Sequence, residues 1–381
     1  MRFLRIARFG GRRIITSRLL QRLTERLMER LMGRLPIDAS IRRWEFWPAW
    51  IVNLPVAIWI TWLAVRYRSA TVFTAANPGI EDGGVVGESK SAILASLPQA
   101  WVLPWATIEP DELAARVEQA RAIIASRNWR YPIVIKPDQG ERGSGVRWIE
   151  CDDSLRAYLE REPRRVMLQI PHHGPFEAGL FYVRHPDETR GRLFSITDKH
   201  FPIVIGDGQS TLAALIDAHP RYRLQRDVFR ARHAARLDAV PTPGEAVRLA
   251  KAGNHAQGTE FRNGAALWTP ALEARIDAIA REIDGFYFGR FDVRYRDRAA
   301  FMAGRDLAIV ELNGVTSEAT HIYDPSASIV AAWRTLMQQW SLAFAIGAAH
   351  RARGHRPTSL RRLASLVLTH LRHTPPLPLA D

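Results

Sequence analysis

Residues 131–150, YPIVIKPDQGERGSGVRWIE, read as strand, glycine-rich loop, strand, with one lysine just ahead of the loop. Pro132 to Ile135 is a short β-branched apolar run that Lys136-Pro137 closes, and Val146 to Ile149 resumes an extended pattern. Between them Gly140, Gly143 and Gly145 permit a tight loop whose backbone N–H groups can wrap an anion. Because the loop joins two strands, it cannot be a Walker loop or a dinucleotide fingerprint, both of which feed a helix. In protein kinases the glycine loop precedes the lysine-bearing strand, whereas Lys136 comes first here and no HRD or DFG element follows. A plain hairpin with a glycine turn is the alternative for this segment taken alone.

Whether such a loop serves a small anion or a polyanion depends on where the charge lies. The formal net charge is +14, yet residues 1–43 carry 12 Arg against Glu25, Glu29 and Asp38, a net +9, and residues 351–381 carry 6 Arg against Asp381, a net +5. The body between them is therefore neutral, and an all-over nucleic-acid-binding surface is not supported. Only Lys90, Lys136, Lys199 and Lys251 are lysine among 53 basic residues, which favours a need for compact point charges at those places. The single Cys151 rules out an internal disulfide.

The amino-terminal end has its own pattern. Arg18, Arg22, Arg26, Arg30 and Arg34 recur at steps of four beside a leucine stripe, predicting a basic amphipathic helix suited to an anionic membrane surface or packed on the protein. Residues 46–65, FWPAWIVNLPVAIWITWLAV, contain no charge and are long enough to cross a bilayer of about 30 Å. Pro48, Pro55 and Asn53, with arginines on both flanks, argue instead for a Pro55-bent, re-entrant or interfacial anchor with Trp47, Trp50, Trp59 and Trp62 at headgroup depth. A buried helix pair is the other reading.

Further along, Ile93, Leu94 and Leu97 predict a short helix, and Leu113, Val117, Ala120 and Ile124 a longer one. Strands follow at 165–170, 177–182, 194–199 and 201–205, and Leu272, Ile276, Ile279 and Ile283 mark one more helix. His172-His173 sits in a turn without a third ligand at metal spacing.

A second constellation lies in GRFDVRY (289–295) and LAIVELN (307–313). Period-two geometry puts Arg290, Asp292 and Arg294 on one face of the first, and Glu311 and Asn313 on one face of the second. If the strands pair, Asp292, Glu311 and Asn313 converge as hard oxygen ligands of the kind Mg²⁺ takes beside phosphates. A hairpin with a solvated acidic face is the alternative.

Residues from about 85 to 345 resemble the ATP-grasp ligases of the D-alanine:D-alanine ligase, glutathione synthetase and cyanophycin synthetase group, most clearly in GRFDVR followed by VELNG. IVIGDGQSTL and LAKAGNHAQG are similar to stretches of the cyanophycin synthetase branch. The resemblance implies an α+β ATP-grasp fold, two lobes gripping ATP, here behind an amino-terminal helical, membrane-associated segment. It implies that Lys90 and Lys136 bind the ATP phosphates under the loop of Gly140, Gly143, Ser144 and Gly145. Gln169 and Ile170 would meet adenine, Glu177 the ribose, and Lys199 a phosphate or the hinge side. Asp292, Glu311 and Asn313 would hold one or two Mg²⁺, with Mn²⁺ as a substitute, while Arg290 and Lys136 serve catalysis.

The chain then divides into a basic helical segment (1–43), an apolar anchor (44–68), a reduced region before the grasp (69–130), the catalytic domain (131–350) and a basic tail (351–381). The expected activity is an ATP- and Mg²⁺-dependent carboxylate–amine ligation at the inner, cytoplasmic face of a membrane. The expected partners are ATP, a small carboxylate, a small amine and the anionic lipid surface, with no specific nucleic acid; a homodimer stays open. A membrane-associated ATP sensor or scaffold without ligase activity is the alternative. The lobe that family members carry before the first lysine is nearly missing, and SEATHIY (317–323) departs from the ligases' usual residues, so neither substrate is identified.

Overall fold

The computed structural model describes residues 44–140, 145–251, 253 and 258–373. Gly143, Ser144 and Asn254, the Arg-rich repeat at 18–34 and the end of the tail lie outside the described residues. The chain is a mixed α/β protein whose sheets are antiparallel, as the alternating apolar patterns predict.

The described chain opens with a short turn at Trp44–Phe46 and the 18-residue helix α1 (Ala49–Arg66). Next comes α2 (Lys90–Ser96), where the Ser89 side chain accepts from the Ala92 N–H and satisfies one of the free donors of the first turn. Ile93, Leu94 and Leu97 are buried as their spacing predicts.

One lobe is built from β1 (Trp105–Ile108), α3 (Leu113–Ser126), β2 (Ile133–Pro137), β3 (Arg147–Ile149), α4 (Asp152–Arg161) and β4 (Val166–Gln169). Its sheet runs β1-β4-β2-β3. Ile133, Ile135, Val166 and Leu168 point to one face and pack with Val117 and Ala120 of α3 and Leu155 and Leu159 of α4. Alternation sends Lys136, Met167 and Gln169 to the other face.

The second lobe holds β5 (Phe176–Val183), β6 (Arg192–His200), β7 (Ile203–Ile205), α5 (Leu212–Ala218), α6 (Arg226–Arg232), β8 (Ala246–Arg248) and β9 (Glu260–Asn263). It continues through α7 (Pro270–Glu282), β10 (Phe288–Tyr295), α8 (Arg298–Met302), β11 (Ala308–Asn313), α9 (Ile329–Ala352) and α10 (Leu360–His373). The main sheet runs β11-β10-β5-β6-β9, and β7-β8 form a separate ribbon packed on α5 and α6. Leu272, Ile276, Ile279 and Ile283 of α7 are buried against Leu180 and Phe291 on one face of the main sheet. The opposite face carries Glu177, Gly179, Lys199, Arg290, Asp292 and Arg294, and farther along the strands Phe181, Val183 and Phe288 pack beneath α9.

The apolar segment departs from expectation. Among the described residues no helix is long and apolar enough to cross a membrane. At about 1.5 Å per residue, the 18 residues of α1 span roughly 27 Å, and one face of it is spent on the protein itself. Val52 and Val56 pack with Ile322, Ile329 and Leu336. Trp59 donates its indole N–H to the Met337 carbonyl and Ser341 hydroxyl, each at 3.0 Å, so it is turned inward rather than toward headgroups. The helix continues through Pro55.

Candidate functional site

Lys90 and Lys136 are brought together by Asp138, a residue that sequence reasoning did not single out. Its carboxylate accepts from the Ser89 hydroxyl at 2.7 Å and the Ser91 N–H at 2.8 Å, and its carbonyl accepts from the Lys90 N–H. Asp138 stands two positions beyond Lys136, so the start of α2 is bolted to the end of β2. The signal was legible as a Ser-Lys-Ser helix start and an acid just past Lys-Pro, each weak alone. Lys90 donates from Nζ to the Gly140 carbonyl at the lip of the glycine loop. The far end of that loop, Gly145, has φ of 72°, the left-handed region where glycine is preferred, and its carbonyl accepts from Tyr158.

Lys136 is buried and donates to Gln169 Oε1 at 2.9 Å, which turns the Gln169 amide so that its NH₂ has no hydrogen-bond partner among the described residues. Burial lowers Lys136 to about 8; the nearby Lys90 charge adds to the effect, while Glu311 and Asp138 oppose it. Met167, paired with Lys136 and on the same face of its sheet, packs in one cluster with Ile309 and Leu312 of β11, so the Lys136 face of the smaller sheet lies toward the strand that carries Glu311. Ile170 gives its N–H to the Pro104 carbonyl at 2.9 Å.

The polar face of the main sheet is a charge lattice set by strand register. β10 and β11 pair with Asp292 opposite Glu311 and Arg290 opposite Asn313, so all four side chains share a face. β10 also pairs with β5, Arg294 opposite Glu177 and Asp292 opposite Gly179, and β5 pairs with β6, Glu177 opposite Lys199. The Lys199 ammonium sits 2.8 Å from Glu177 and 3.1 Å from Asp292. The diagonal reach to Asp292 passes over Gly179, where a Cβ would stand 3.1 Å from Arg290 Cδ and 3.3 Å from Asp292 Oδ1. Arg294 holds the other oxygen of Glu177 at 3.0 Å. Arg290 grips Asp292 through Nε at 3.0 Å and Nη2 at 3.2 Å, and donates from Nη1 to the Glu318 carbonyl at 2.8 Å.

This lattice keeps its charges despite burial. Burial alone would raise Asp292, but Arg290 and Lys199 outweigh it and hold the carboxyl near 2. Glu177 is likewise below the usual carboxylate range because Lys199 and Arg294 overcome its burial. Burial works against the Lys199 ammonium too, and Asp292 and Glu177 reverse it, raising its pKa.

Among the described residues no group of three or more His, Cys, Asp or Glu is gathered as a metal nest. What the fold does assemble is two carboxylates in direct register, with Asn313 donating to Asp292 at 3.3 Å. The Glu311 carboxylate accepts no hydrogen bond from a described residue, whereas both oxygens of Asp292 are held, by Arg290, Lys199 and Asn313. Two carboxylates and one amide oxygen, completed by phosphate oxygens and water, suit the hard, octahedral demand of Mg²⁺, and Asp292 would exchange part of those contacts to join the set. Glu177 is committed to Lys199 and Arg294, and a Cβ on Gly253 would stand 2.4 Å from its Oε1, so Gly253 lies against it.

No protein-family model matches the chain, and no curated protein sequence is significantly similar to it. Solved structures give distant likenesses. A bifunctional glutathione synthetase from Pasteurella multocida is 16% identical with a TM-score of 0.37, over 67% of this chain and 36% of that one. The VanG D-Ala:D-Ser ligase from Enterococcus faecalis is 15% identical at a TM-score of 0.37, over 66% of this chain and 61% of that one. The D-alanine-D-alanine ligase from Coxiella burnetii is 10% identical at 0.38, over 73% and 61%. The chain thus spans less than two thirds of the length of these three. Likeness at these scores is too distant to transfer an activity, and the functional reading rests on this chain's own residues.

Proposed function

We propose that the chain is an ATP- and Mg²⁺-dependent carboxylate–amine ligase of the ATP-grasp kind. The observation that carries this reading is the strand register that sets Asp292 opposite Glu311 and Arg290 opposite Asn313 on one face of the main sheet, with the Lys199 ammonium 3.1 Å from Asp292. Lys90 and Lys136 meet the phosphates from the glycine-loop side. Asp292, Glu311 and Asn313 hold Mg²⁺ from the main sheet, where the ion offsets charge on the phosphate oxygens. Arg290, anchored by Asp292 and the Glu318 carbonyl, keeps a guanidinium where the transferred group gains charge.

The substrate carboxylate oxygen attacks the γ-phosphorus, the bond to the β-phosphate oxygen breaks, and ADP leaves. The amine nitrogen attacks the acyl phosphate carbon, phosphate departs with the C–O bonding pair, and the amine loses a proton to give the amide. Positioning and charge stabilisation supply the rate, so no side-chain nucleophile is required.

The test is ADP release by purified protein supplied with ATP, Mg²⁺ and pools of carboxylates and amines. Release that needs both pools supports the ligase. Nucleotide binding with no release from any pair leaves a sensor or scaffold and ends the ligase reading.

A further inference from the structure

While the inner face of α1 is packed on α9, its outer face is an apolar stripe that no described residue covers. Trp50 is 70% exposed, Leu54 54%, Ile58 64%, Trp62 44% and Val65 74%. They recur at steps of four, four, four and three, which is one line along a helix. The exposed residues between them, Asn53, Ala57 and Thr61, carry no charge. A continuous row of this size marks a contact surface rather than scattered surface apolarity.

The charge around the stripe says what it contacts. Arg66 closes α1 with its guanidinium 5.3 Å from the centre of the Trp62 ring, and Arg68 follows it exposed to solvent. In the sequence, Arg42 and Arg43 end a 43-residue stretch of net charge +9 that precedes α1. Glu45, the acid nearest the start of α1, is withdrawn into a 2.5 Å ion pair with the buried Arg221. On α10, Leu360 and Leu368 are 65% and 52% exposed beside the exposed Arg361, while Arg362 is paired with Glu81 and Asp82.

An uncharged apolar row with tryptophans near both ends and arginines at its borders matches the depth profile of a lipid surface: acyl chains inside, indoles at the boundary, phosphates outermost. We propose that α1 lies in the plane of an anionic phospholipid surface, with Leu54 and Ile58 inserted and Arg66 and Arg68 at the phosphates. This goes beyond the ligase reading and stands or falls separately from it. Docking also brings the site close to the lipid, because Ile322 packs with Val56 of α1 while the Glu318 carbonyl, in the same loop, holds Arg290.

The experiment is co-sedimentation of the full chain with vesicles of phosphatidylcholine alone and with about one third phosphatidylglycerol, at low and high salt. Expected is binding to the anionic vesicles that weakens with salt, and a drop of at least about tenfold for Leu54→Glu/Ile58→Glu. Both substitutions fall on exposed positions, and an unchanged thermal midpoint verifies the fold. Three results overturn the proposal. The first is no binding to either vesicle. The second is equal binding by parent and variant, with a lowered midpoint in the variant if residues 1–43 cover the stripe. The third is a solution dimer that the variant dissolves, which makes a second copy the occupant.

Discussion

Replacing Lys199 by Met separates two jobs that one ammonium performs. The side chain is 5% exposed and bridges Glu177 and Asp292, which are 9% exposed. Removing one member of a buried ion cluster costs about 3–5 kcal/mol when it leaves a bare charge. Here Arg294 and Arg290 remain on the two carboxylates, so the low end, about 3 kcal/mol, is expected. Part of that loss must depend on pH. Asp292 is held near 2 against an ordinary 3.8, which at about 1.4 kcal/mol per unit is a contribution of about 2 kcal/mol. For a carboxyl with a depressed folded pKa, that contribution is complete above the unfolded value and disappears as pH falls through the folded one. About half is gone by roughly pH 3. Urea denaturation of parent and Lys199→Met at intervals from about pH 6 to about pH 3 therefore gives a stability gap that narrows toward acid by a fraction of about 1 kcal/mol, since Arg290 keeps its larger share of the Asp292 shift in the variant. A gap constant across that range would refute the reasoning, because it would assign the loss to packing around the aliphatic stem instead of to charge.

Asp292→Asn and Glu311→Gln should each cut ADP release by at least about a hundredfold while circular dichroism stays native; near-parental turnover in either would remove it from the metal set. ATP affinity measured by calorimetry should weaken as pH rises past 8, where free Lys136 loses its proton, and Lys136→Arg should flatten that limb because a guanidinium stays charged. An affinity indifferent to pH between about 7 and 9 would place the phosphates away from Lys136. Gly179→Val should destabilise the fold by about 1–3 kcal/mol in urea titrations, since its side chain enters the space between Arg290, Asp292 and Thr197. A neutral result would mean that the Lys199 diagonal is dispensable.

How far the sequence revealed this arrangement depended on whether the signal was local. The face shared by Arg290 and Asp292, and that shared by Glu311 and Asn313, followed from period-two alternation within each strand. Alternation says nothing about which other strands lie alongside, so the Arg294–Glu177 and Glu177–Lys199 pairs were invisible until β5 was seen between β10 and β6. For the same reason Glu177 looked free for a ligand although it is tied at both oxygens. The apolar run at 46–65 hid its two faces because composition averages over a helix: Val52, Val56 and Trp59 serve the interior, and Trp50, Leu54 and Ile58 the exterior. Residues 217–248, an Arg-rich stretch with helical composition, hold the end of α5, the short helix Arg226–Arg232 with tight turns beside it, and the strand β8. Their order comes from packing on the β7-β8 ribbon, a contact with no counterpart in local periodicity.

Asp138 has a mechanical corollary. Because one carboxylate fastens both Ser89 and Ser91 to the strand that carries Lys136, the two ammonium groups ride on a common bracket. A nucleotide would therefore meet a ready-made pair of cations whose backbone anchors are already set against each other.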